Sequence, residues 1–70
     1  MPVSHSYVVT GMTCTHCVNA VTEEVSAVGG VIRVDVELDS GRLTVVSEEA
    51  VPFDLLAAAV DEAGYTVAPA

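Results

Sequence analysis

The chain of 70 residues contains no lysine and no tryptophan, one phenylalanine, two arginines and two cysteines. Each shortage argues against a class of function. A phosphate-binding surface needs clustered cations. Arg33 and Arg42 stand alone against ten carboxylates, for a net charge of −8, so nucleic acid is not an expected ligand. An anionic membrane surface repels the same charge. No apolar run approaches the roughly 20 residues that a spanning helix needs, so no direct membrane insertion is expected. The segment Met1-Pro2-Val3-Ser4-His5 lacks both the basic start and the apolar stretch of a secretory signal. The chain therefore reads as a complete, free-standing cytoplasmic protein, with a domain cut from a longer chain as the alternative.

What is present is apolar and compact in pattern. A hydrophobic fraction of 51%, dominated by valine, is too high for a disordered chain. Seventy residues allow a single domain, 1–70, with a small core. The net charge favours a soluble monomer and biases docking toward neutral or basic surfaces.

The two cysteines fall in one run, Gly11-Met12-Thr13-Cys14-Thr15-His16-Cys17. A CxxC spacing lets both sulfurs reach one point. In a reducing compartment such a pair is more often a metal or redox site than a structural staple. As a disulfide it would close a loop too short to remove much unfolded-state entropy. Metal binding, thiol–disulfide exchange and incidental thiols all remain open on spacing alone.

The surrounding pattern reads βαββαβ. Ser4 to Thr10 is β-rich, and Gly11 breaks it. From Cys17 the valines Val18, Val21, Val25 and Val28 recur at helical spacing, and Gly29-Gly30 is expected to end that helix. Val31 to Leu38 alternates, placing Ile32, Val34, Val36 and Leu38 on one face and Val31, Arg33, Asp35 and Glu37 on the other. Asp39-Ser40-Gly41 reads as a tight turn, and Arg42 to Ser47 as the return strand of a hairpin. Pro52 suits the first turn of a second helix whose stripe is Phe53, Leu56, Ala57, Val60 and Ala63. Gly64 caps it, and Tyr65 to Ala68 is a short last strand. The economical packing is α+β: a four-stranded antiparallel sheet with two helices on one face, an open-faced sandwich.

This placement gives the cysteines a chemistry. Cys17 belongs in or near the first turn of the first helix, where unpaired N–H groups and the positive dipole end favour a thiolate. Cys14 lies on the loop, which can flex to admit or release an ion. Two thiolates alone suit Cu(I), a soft ion that accepts low coordination, whereas structural zinc asks for four ligands. An under-coordinated ion is also open to attack by a second pair of thiols, so such a site suits transfer. A thioredoxin-type site would instead follow a central strand of a larger fold.

The neighbours divide between bland and sharp readings. His16 is an exposed loop histidine or an auxiliary ligand, and Met12 packs under the loop or offers a thioether. Tyr65 is an ordinary strand aromatic or a shield beside a sulfur. His5 reads as a surface residue, and Glu23-Glu24 and Glu48-Glu49 as solvated acidic pairs.

The run Gly11-Met12-Thr13-Cys14-Thr15-His16-Cys17, followed by a helix and later by Ala63-Gly64-Tyr65, resembles the heavy-metal-associated domain family, and within it the bacterial copper chaperones. The likeness extends over essentially the whole chain. It implies a ferredoxin-like fold, Cu(I) held by Cys14 and Cys17, and delivery to a copper-transporting P-type ATPase, with no enzymatic activity. The net charge goes with an apo monomer, and a copper shared between two molecules would give a copper-bridged dimer. Met12 then corresponds to the methionine that packs beneath the metal loop, and Tyr65 to the loop tyrosine near the site in bacterial members. Zinc- and cadmium-type members tend to carry an acid just before the first cysteine. Thr13 in that place favours copper. An N-terminal metal-binding domain of such an ATPase and, less favoured, a thiol oxidoreductase are the alternatives. Eukaryotic copper chaperones of the family dock through a lysine-rich face. This chain has no lysine, so the patch around its metal loop is expected to be apolar or acidic and to face a neutral or basic partner.

Overall fold

A computed structural model describes all 70 residues. The elements run β1 (Val3–Thr10), α1 (Thr15–Ser26), β2 (Val31–Val36), β3 (Arg42–Ser47), α2 (Phe53–Glu62) and β4 (Thr66–Pro69). The strands form one sheet in the order β2-β3-β1-β4, and every pairing is antiparallel. This is the expected ferredoxin-like βαββαβ open-faced sandwich. α1 packs toward β2, α2 packs toward β4, and the helices touch each other.

The sheet alternates as period two requires. Val9, Leu43 and Val45 are buried toward the helices, where Val21 and Val25 of α1 and Leu56, Ala59 and Val60 of α2 meet them. Ser47 is the one buried polar side chain; its hydroxyl donates to the Glu49 carbonyl, so its burial leaves no polar atom unpaired. Both arginines lie in β2 and β3, away from the edge formed by β4.

Three local expectations are corrected. The alternation predicted through Val31–Leu38 breaks at its start, because the register against β3 shifts between Val31 and Arg33. A bulge adds one residue to one strand and re-aims its neighbours. Val31 therefore packs against the core, while Ile32, expected inside, is 53% exposed. The strand also stops at Val36, leaving Leu38 in the turn. Helix α1 ends at Ser26 rather than at the glycines; the Ala27 N–H bonds the Glu23 and Glu24 carbonyls, and Val28 packs beyond the helix proper. In α2, Ala59 is buried, while Phe53 is 37% exposed at the margin of the core and leans on Tyr7 with ring centroids 5.9 Å apart.

Two glycines set the chain's direction. At the end of α2 the Tyr65 N–H bonds the Val60 carbonyl (3.1 Å) and the Gly64 N–H bonds the Asp61 carbonyl (2.9 Å), with Gly64 at φ +93°. These two bonds define a Schellman cap, and they fix where Tyr65 leaves the helix. Gly41, at φ +73°, passes so close to β1 that a Cβ there would lie 2.5 Å from the Val9 carbonyl oxygen.

Candidate metal centre

The site is built where β1 stops. Gly11 turns the chain at φ +96°, and Cys14, in extended conformation (φ −157°, ψ 173°), is the N-cap of α1. The Cys14 carbonyl accepts from the N–H groups of Cys17 (3.0 Å) and Val18 (3.4 Å), so Cys17 is the third helical residue. No side chain caps this helix and no acidic residue occupies its first turn. The positive end of the helix dipole is thus left for the thiols.

Cys14 is exposed, Cys17 is half-buried, and their sulfurs are 3.6 Å apart, both free. The Cys17 thiol is pulled down from 9.0 to about 6. The backbone N–H of Thr13 contributes most, followed by the Tyr65 hydroxyl and the backbone N–H of Cys14; burial opposes them, and the Cys14 side chain adds a smaller lowering effect. The Thr13 hydroxyl stands 3.8 Å from the same sulfur. Tyr65 responds in the opposite sense: its hydroxyl is raised, first by the nearby Cys17 sulfur, then by burial and by the charges of both thiols. Cys17 is therefore largely thiolate near neutral pH.

The remaining named residues fall as follows. Tyr65 reaches the site, and its ring packs so closely over Gly11 that a Cβ at Gly11 would sit 3.3 Å from Tyr65 Cδ1. Met12 is half-buried against the core cluster, beneath the loop. His16, the second residue of α1, is exposed. No group of three or more His, Cys, Asp or Glu side chains converges anywhere, so His16 is not joined to the two sulfurs. His5 and the acidic pairs Glu23-Glu24 and Glu48-Glu49 are all exposed. Thr13, read in the sequence only as the non-acidic position before Cys14, has its N–H and hydroxyl both facing Cys17. Its place four residues before Cys17, at a helix start, is the signal that could have revealed it.

The βαββαβ sandwich thus presents two free sulfurs, 3.6 Å apart, at the N-terminus of a helix. The heavy-metal-associated domain model matches residues 6–66. The chain belongs to that family. It is 39% identical over 61 residues to the copper chaperone CopZ of Bacillus subtilis (strain 168), a match spanning 86% of this chain and 88% of that one. It is 35% identical over 65 residues to copper-transporting ATPase 2 of Rhizobium meliloti (strain 1021), covering 93% of this chain and 8% of the ATPase. Among solved structures, oxidized MerP from Ralstonia metallidurans CH34 superposes with a TM-score of 0.88 at 30% identity, over 99% of this chain and 97% of that one.

Proposed function

We propose that this protein is a Cu(I) metallochaperone. It binds one Cu(I) through the sulfurs of Cys14 and Cys17 and passes it by ligand exchange to a copper-transporting P-type ATPase in the cytoplasm. The observation that carries the reading is the pair of sulfurs 3.6 Å apart with no third ligand converging on them. Two thiolates satisfy a soft ion, while zinc would be left short of ligands. The similarity to a copper chaperone over most of both chains, and to a segment of a copper-transporting ATPase, supports the choice of metal and of acceptor.

Transfer follows from the same geometry. Cys14 is exposed and sits on the loop side, where an incoming thiolate can reach the ion without unfolding the helix. The acceptor's sulfur adds to give a three-coordinate copper, and one of this chain's sulfurs then leaves. Copper stays Cu(I) throughout, and no covalent bond of the protein is made or broken, so the protein acts as a carrier and not as an enzyme. Met12 supports the loop from the core side. Tyr65 and Thr13 stabilise the Cys17 thiolate, which keeps one ligand ready at neutral pH.

The test is a competition titration against a strong Cu(I) chelator. The parent protein retains copper, and the Cys14→Ser, Cys17→Ser double variant releases it. Equal retention by both refutes the reading. A second reading, a metal-binding domain of an ATPase in residues 1–70, rests on the 93% coverage of this chain by the Rhizobium meliloti match. It uses the same two sulfurs and differs only in what is covalently attached. A thiol oxidoreductase would instead reduce a disulfide substrate catalytically without metal.

A further inference from the structure

The metal centre shares a wall with a second feature. Strand β4 is an edge of the sheet, so its outer backbone groups pair with no other strand. Between this edge and α2 runs a shallow groove of about 360 Å3, lined by Ala57, Ala58, Asp61, Tyr65, Thr66 and Val67. Tyr65 belongs to both places: it closes one end of the groove and its hydroxyl faces Cys17.

The unpaired edge of β4 leaves room beside the groove for a fifth strand. A segment added along β4 would turn every second side chain toward α2, where the helix presents Ala57, Ala58 and Asp61. Ala57 and Ala58 leave that space empty, which larger residues would fill. Pro69 limits the pairing to Thr66, Val67 and Ala68, giving a short contact that dissociates readily. The charge around it selects the occupant. Asp61 lines the groove, and Asp54 lies two helical turns earlier on the same stripe of α2, with Ala57 and Ala58 between them. From residue 43 to the end the chain carries five carboxylates and no cation.

We propose that the groove between α2 and β4 seats an extended, basic peptide segment of the protein that accepts the metal, paired to the edge of β4 with its cations at Asp61 and Asp54. This rests on the metallochaperone reading for what the partner is, and on the groove alone for where it docks.

The test is a titration of the isotopically labelled apo chain with a capped peptide of alternating lysine and valine, followed by amide resonances. A peptide of alternating glutamate and valine serves as the control. The basic peptide should bind saturably and shift the amides of Ala57, Ala58, Asp61, Tyr65, Thr66 and Val67. Asp61→Asn should weaken it about threefold to tenfold. Ala58→Leu, which fills the groove at an exposed position, should abolish the shifts at Thr66 and Val67. Absence of saturable binding overturns the proposal, as do shifts spread equally over Glu23, Glu24, Glu48 and Glu49, or unchanged binding by Ala58→Leu. Copper retention is measured separately without peptide; its failure refutes the metallochaperone reading and leaves the docking result standing.

Discussion

The most exposed consequence of the site geometry is the acidity of Cys17. In the folded chain it is held at about 6, against 9.0 for an ordinary cysteine thiol. At pH 7 about nine-tenths of Cys17 should be thiolate when folded, against about one-hundredth when unfolded. The clean perturbation is pH, applied to a Cys14→Ser variant so that a single thiol is read. That substitution removes the Cys14 side chain, the smallest of the lowering influences, and leaves the backbone N–H of Thr13 and the Tyr65 hydroxyl in place. The assay is the rate of alkylation by iodoacetamide as a function of pH, with a urea-unfolded control. The folded profile should reach half its plateau between pH 6 and 7, and the unfolded profile near pH 9. The midpoint is the quantity to compare, because a more acidic thiolate is a weaker nucleophile and lowers the plateau. Tyr65→Phe should move the folded midpoint upward without unfolding the chain. Stability should follow the same window. Because the folded pKa lies below the unfolded one, the contribution of Cys17 is fully present above pH 9. It is lost as pH falls to about 6, so the urea midpoint should rise with pH across that interval. Coincident folded and unfolded profiles would refute the reasoning.

Two further substitutions test the frame that holds the site. Gly41→Ala combines a left-handed backbone with a Cβ 2.5 Å from the Val9 carbonyl oxygen, and should cost about 2–4 kcal/mol in urea unfolding. That is a large share of the roughly 4–10 kcal/mol available to a chain of this size. The bulge in β2 predicts that Val31→Ala destabilises by about 1 kcal/mol and Ile32→Ala by less than about 0.5 kcal/mol, although isoleucine loses more carbon. The reverse order would mean that the strand keeps its simple alternation.

Much of the fold was legible because its signals are periodic. The valine spacing of α1, the hairpin turn at Gly41 and the glycine after α2 all agree with local geometry, so the order of elements could be read directly. What escaped was set by pairing and not by pattern. Ile32 is exposed because β3 fixes a shifted register, which no alternation within β2 announces. Ala59 is buried because α2 turns that side onto the sheet, and α1 stops at Ser26, before the glycines, with Ala27 as its C-cap. At the site, the CxxC spacing and the helix start were visible. The approach of Tyr65 was left open until the Schellman cap at Gly64 fixed its direction, and the role of Thr13 needed three-dimensional proximity to appear. His16 lies between two cysteines in sequence, yet its exposed side chain on α1 does not converge with their sulfurs.

The central claim is that two sulfurs and nothing else hold the ion, and metal selectivity tests it most directly. The protein, kept reduced under anaerobic conditions, is offered Cu(I) and Zn(II) together and the bound metal is counted per chain. The account predicts one copper per chain, no zinc, and loss of the copper in the Cys14→Ser, Cys17→Ser variant. Retention of zinc in preference to copper, or copper held as firmly by the double variant, would contradict it.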